Sequence, residues 1–125
     1  MTPSSRKAKG RALQDWVRDT LREIFPTLEP DDVTCAIMGE SGEDIKLSPA
    51  ARKLIPFSFE CKNVEKLNVW AAFEQAVANC TKVNKKTSSP MEPLLIMKKN
   101  RRQPLAVIDA KYLLELISGR KKNGS

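Results

Sequence analysis

Residues 57–62 read Phe-Ser-Phe-Glu-Cys-Lys, and this alternation constrains the chain more than any other stretch. In an extended strand successive side chains point to opposite faces. Phe57, Phe59 and Cys61 therefore share one face, and Ser58, Glu60 and Lys62 share the other. The first face is built for a core. The second carries a carboxylate and an ammonium side by side. Asp44 lies near the end of the preceding candidate strand, Glu43–Leu47. If the two strands pair, Asp44, Glu60 and Lys62 converge on one small volume, an arrangement suited to a divalent metal and to phosphate chemistry.

The flanking chain reads as elements able to enclose that strand. Leu13, Trp16, Val17, Thr20, Leu21 and Ile24 form one continuous helical stripe, with Arg11, Arg18 and Arg22 opposite and Gln14 at the border. Pro26 and Pro30 end this helix. Val33–Met38 is the first candidate strand, 39–42 a turn, Glu43–Leu47 the second strand, and a helical turn starting at Ser48-Pro49 leads to the third strand, Pro56–Lys62. A second helix is expected over Glu65–Thr81. Its apolar stripe is Val69, Trp70, Phe73, Ala76, Val77 and Cys80, and Asn68, Ala72, Gln75 and Asn79 make a polar-and-small stripe. The two tryptophans and Phe73 read as core rather than as base-stacking platforms. Lys82–Glu92 reads as a mobile basic loop. Leu94–Met97 and Leu105–Ile108 are short strands joined by a cationic tip, and Asp109 N-caps a last helix carrying Tyr112, Leu113, Leu116 and Ile117. The expected order is αβββαββα, one domain over residues 9–118 with a mixed sheet flanked by helices, between flexible basic tails at 1–8 and 119–125.

Composition narrows the chemistry. The 125 residues are enough for one core. No apolar run approaches a membrane span and the start lacks an apolar leader segment. The absence of histidine removes histidine bases, Ser-His-Asp triads and histidine metal sites. Cys35, Cys61 and Cys80 are scattered, odd in number and without a CxxC pair, which suits a reduced, cytoplasmic setting and indicates neither zinc nor a disulfide framework. The net charge of +7 favours a polyanionic partner.

Mg²⁺ takes oxygen ligands and keeps several waters, so Asp44 and Glu60 are enough as side-chain ligands, with the Cys61 backbone carbonyl as a third oxygen. Lys62 can orient or deprotonate a water, or neutralise charge on a phosphate. Against this stands the plain reading of a Glu-x-Lys on an amphipathic strand as solvated surface, which the short motif alone favours. Glu43 faces away from Asp44 by alternation and reads as structural. Ser41 is a turn residue or a contact to a DNA phosphate. Arg11, Arg18, Lys98, Lys99, Arg101 and Arg102 are the candidate backbone contacts, the hairpin tip being the best anchored.

Gly10-x-x-x-Gln14 on the leading helix, Gly42-Glu43-Asp44-Ile45, Phe59-Glu60-Cys61-Lys62, and Gln75 on the next helix together resemble the PD-(D/E)XK nuclease superfamily, in size and order most like small phage-type nucleases and archaeal-type Holliday junction resolvases. The resemblance covers residues 9–108. It implies a restriction-endonuclease-like core, Asp44 and Glu60 as metal ligands, Lys62 as the catalytic lysine, and Gln75 near the active site. Gln14 stands where resolvases usually carry a glutamate, and Glu43 where the motif has proline. The expectation is a Mg²⁺-dependent, structure-selective DNA endonuclease (Mn²⁺ substituting), a junction resolvase of phage type acting as a homodimer in DNA recombination or repair, within the bacterial host cytoplasm if phage-encoded. The alternatives are a flap, nicking or repair nuclease on the same core, and a non-catalytic nucleic-acid-binding protein.

Overall fold

A computed structural model describes residues 2–37, 40 and 42–119. Helix α1 spans Pro3–Ile24, strand β1 Val33–Cys35, β2 Ile45–Leu47, the short helix α2 Pro49–Leu54, β3 Phe57–Asn63, α3 Val69–Asn84, β4 Glu92–Lys98, β5 Leu105–Ile108 and α4 Ala110–Ser118; a 3₁₀ turn, Pro30–Asp32, precedes β1. This is a mixed α/β fold in the expected order of elements. Ser41 and the basic group at 120–122 lie outside the described residues, as do Met38 and Gly39 of the first expected strand and turn.

The strands do not form one continuous sheet. β3, β4 and β5 make a three-stranded sheet in which β3 and β4 are parallel and β4 and β5 antiparallel; β1 and β2 make a separate antiparallel ladder. Parallel neighbours need a crossover, and α3 supplies it. β2 is only three residues long, and α2 then carries the chain away before β3 begins. The two ladders meet chiefly at Asp44. Its backbone N–H donates to the Phe59 carbonyl (2.9 Å), and its carboxylate accepts from the Cys61 N–H (2.7 Å).

One core lies between α1 and the sheet. Leu13 and Val17 of α1 pack with Val33, Ile45 and Leu47 of the small ladder and with Phe59, Cys61 and Ile96 of the large sheet. The expected face of β3 is thus the one that packs against α1. Tyr112 of α4 adds an edge-to-face contact with Phe57 at 5.8 Å. Arg22, expected on the solvated side of α1, instead donates to the Val33 and Pro30 carbonyls and ties the helix end to the start of β1. Opposite α1, α3 covers the other sheet face through Ala72, Ala76 and Cys80.

Several expectations are corrected. The flexible tail at 1–8 is helical from Pro3, because Thr2 caps the Ser5 N–H and proline suits the first helical position. Trp16 and Trp70 are not core: they are 47% and 82% exposed. On α3 the small residues face the sheet because they let the helix approach closely, which rotates Trp70 and Val77 outward. On α4, Leu113 and Ile117 are exposed and Tyr112 takes the buried position. The loop after α3 is shorter than expected. α3 runs on to Asn84, whose amide accepts from the Met91 N–H (2.7 Å) and donates to the Met91 carbonyl (3.1 Å).

Glu43, 3% exposed, accepts a hydrogen bond from the Arg52 guanidinium of α2 at 2.7 Å. This is the structural role alternation assigned to it, and it fastens α2 over the small ladder. Breaking a buried pair leaves a charge uncompensated. Arg52→Met is therefore expected to cost about 3–5 kcal/mol, read as a lower urea midpoint. A loss below about 1 kcal/mol would show a pair no stronger than a solvated one.

Candidate active site

The polar face of β3 lies under α3. Ser58 and Glu60 are buried there, and Lys62 is half-buried one position from the strand's end. Glu60 is 3% exposed, yet both carboxylate oxygens are engaged: Asn79 Nδ2 of α3 donates to Oε1 (3.2 Å), and Lys62 Nζ stands 3.5 Å from Oε2. Asn79 reaches Glu60 because Ala72 and Ala76, on the same side of α3, let the helix sit low on the sheet.

Asp44 reaches the same place from the other ladder. It immediately precedes β2, and its carbonyl accepts from the Ala36 N–H at 2.9 Å, continuing the β1–β2 ladder by one residue. With its N–H and carboxylate both bonded to β3, its side chain is held at the β3 edge beside Glu60. In a strand the N–H and C=O of one residue point to the same side. Cys61 N–H points to Asp44, so the Cys61 carbonyl faces that edge too, while its thiol is buried in the α1 core.

A cleft of about 400 Å³ is lined by Gln14, Asp44, Glu60, Cys61, Lys62 and Gln75. Gln14, Asp44, Glu60, Lys62 and Gln75, the five side chains that carry the resemblance, therefore meet at one opening. Gln14 comes from α1, Asp44 from the small ladder, Glu60 and Lys62 from β3, and Gln75 from α3. Glu40, Asn79 and Lys82 also line it and were not among the site residues drawn from the sequence. A signal existed for Asn79 and Lys82, which follow Gln75 at i+4 and i+7 on one helix face. None existed for Glu40, which arrives through the loop between β1 and β2.

Both carboxyls of the cleft are raised from their ordinary values. Burial pushes the Asp44 carboxyl up from its ordinary value, against the pull of the Cys61 N–H. Burial also pushes Glu60 up, and the negative charge of Asp44 adds to this. Their repulsion is what a divalent ion would relieve. Among the described residues no group of three or more Asp, Glu, Cys or His side chains could hold a metal. An ion here would rest on Asp44, Glu60, the Cys61 carbonyl and water, an oxygen set that fits Mg²⁺ or Mn²⁺ and offers zinc no soft ligand.

The proposed DNA contacts divide. Arg11 is exposed one turn from Gln14, beside the cleft. Arg18 is held by Asp19 at 2.8 Å and Asp15 at 3.3 Å. Lys98, Lys99, Arg101 and Arg102 form the tip between β4 and β5, which the Asn100 N–H fastens to Glu65 at 2.7 Å. Arg101 has φ 62°, a left-handed conformation uncommon for a side chain of its size. The three cysteines are free thiols. No described helix is long and apolar enough to cross a membrane.

Comparison of the chain with protein-family models, with curated proteins and with solved structures returned no match.

The raised carboxyls have a consequence for stability. A carboxyl whose folded pKa exceeds its unfolded value binds more protons when folded, so stability falls as pH rises through that window. In metal-free protein Glu60→Gln should flatten this decline and raise stability at neutral pH. Denaturation midpoints from about pH 4 to about pH 8 measure it, and an unchanged pH profile would show that Glu60 is not the group responsible.

Proposed function

We propose that the chain is a Mg²⁺-dependent endonuclease that hydrolyses DNA phosphodiesters and selects its substrate by DNA structure, with four-way junctions the leading substrate. The observation that carries this reading is the convergence of Gln14, Asp44, Glu60, Lys62 and Gln75 on one cleft from four separate elements. A surface Glu-x-Lys needs no such company. Here Glu60 is buried, a second carboxylate is held beside it by two backbone hydrogen bonds of β3, and amide side chains from two helices close the sides. The same element order and residues support a PD-(D/E)XK-type core.

Asp44, Glu60 and the Cys61 carbonyl would hold the ion. Bound there, it would offset charge on the phosphate and lower the pKa of the attacking water. The chain's own residues do the rest. Asn79 orients Glu60. Lys62, kept close by Glu60, directs its ammonium into the cleft, where it positions the water or offsets charge developing on the phosphate. Gln14 and Gln75 offer neutral donors and acceptors on either side. Arg11 and the hairpin tip neutralise flanking phosphates. A resolvase cuts two symmetric strands, which calls for a two-fold homodimer.

The competing reading is a nucleic-acid-binding protein without catalysis. It draws on the internal satisfaction of Glu60 by Asn79 and Lys62, which could serve as a structural ion cluster. One assay separates the two: junction, flap, linear duplex and single-stranded DNA incubated with and without Mg²⁺. Metal-dependent cutting is expected, falling about a hundredfold or more in Asp44→Asn, Glu60→Ala and Lys62→Ala with DNA binding retained. Cutting that survives all three changes would remove this site. Binding without cutting of any substrate would establish the binding protein, and junctions cut no faster than linear duplex would remove the resolvase.

A further inference from the structure

A second, larger concavity opens beside the candidate site. It has a volume of about 600 Å³, within the range of sites that hold a small organic ligand. Its apolar lining is Val64, Leu67, Met97 and Leu105, and Glu65 and Gln103 add polar groups. Its rim is cationic, from Lys99, Arg101 and Arg102 of the hairpin tip. The walls are fixed in place. The Val64 N–H donates to the Lys98 carbonyl at 3.1 Å, extending the β3–β4 ladder, and Glu65 accepts the Asn100 N–H. Lys9 of α1 stands 3.8 Å from the same Glu65 carboxylate.

Position relates this groove to the cleft. Val64 follows Lys62 by two residues along extended chain, about 7 Å, and alternation gives both the same face. In the neighbouring strand Met97 is in register with Lys62. The groove therefore begins about one nucleotide step from the proposed reacting phosphate. A surface that only tracks the DNA backbone has use for the cationic rim but none for an apolar lining. A rim of arginine and lysine over such a lining matches a nucleotide, phosphate at the rim and base below. A base within an intact duplex is stacked on both faces and cannot enter a concave slot. The base must already be out of the stack.

We propose that this groove binds one unpaired nucleotide of the DNA substrate, next to the phosphate to be cut, so that the protein prefers DNA with a single-stranded or splayed segment over continuous duplex. The inference rests on the nuclease reading for its account of what lies in the neighbouring cleft. It supplies the structure selectivity that reading needs.

The test measures binding in chelator, where no cutting occurs, so its outcome is independent of whether the protein is a nuclease. Fluorescence anisotropy compares a short blunt duplex with the same duplex carrying a single-stranded arm. Wild type is expected to bind the armed duplex more tightly. Leu105 is 54% exposed, so the charge-neutral Leu105→Asn can be made without disturbing the core or the charge of the hairpin tip, and circular dichroism checks that the fold is kept. It should weaken armed-duplex binding about tenfold, within the range for losing one base contact, and leave blunt duplex unchanged. Leu105→Met should behave as wild type. The proposal is overturned by a wild type indifferent to the arm, by equal losses on both DNAs, or by no loss on either. A change from dimer to monomer in sedimentation without a selective DNA effect would overturn it too, since a second copy of the chain would then be the occupant.

Discussion

Asp44 holds the molecule's two ladders together. Its backbone carbonyl belongs to the β1–β2 ladder, and its N–H and carboxylate belong to the edge of β3. A charge-assisted hydrogen bond from a backbone N–H is among the stronger contacts available to a carboxylate, and here it is shielded by the core beneath. Were Asp44 a solvated surface residue, the small ladder would meet β3 through side-chain packing alone, and the cleft would lose one wall.

That one residue serves both structure and the proposed chemistry, and the two uses pull in opposite directions. Burial raises the Asp44 and Glu60 carboxyls, so holding both ionised in the folded state costs stability. Lys62, Asn79 and the Cys61 N–H offset part of that cost. Paired carboxylates kept beside each other in this way are a common mark of a functional centre. By contrast, the Glu43–Arg52 pair one residue away points to the other side and fastens α2. Adjacent acidic residues thus take unrelated roles because a strand alternates its faces.

Much of the site was legible from local pattern. The alternation at 57–62 assigned Glu60 and Lys62 to the face opposite the core, and the same rule separated Asp44 from Glu43. The interval from Gln75 to Asn79 is one helical turn, so their shared face was also readable. Where the pattern misled, the reason was volume. On α3 the apolar stripe named the large residues, but the sheet admits the small ones. Ala72 and Ala76 bring the helix low enough for Asn79 to touch Glu60, and Trp70 is turned to solvent as a result. Thr2 and Pro3 carried a cap signal that the high charge of the first residues obscured.

The sequence by itself determined which side chains share a face, the Ser48 and Asp109 caps that start two of the helices, and that any catalysis must run without histidine. These depend on periods and caps, which are properties of neighbouring residues. The tertiary structure decided which faces meet. It brought Gln14, from a helix on one side of the sheet, to the same cleft as Gln75 on the other. It divided the strands into two ladders joined at Asp44, and it opened a groove of mixed apolar and cationic lining beside the cleft. Those outcomes depend on how closely elements of different bulk can approach, and no local period encodes that distance.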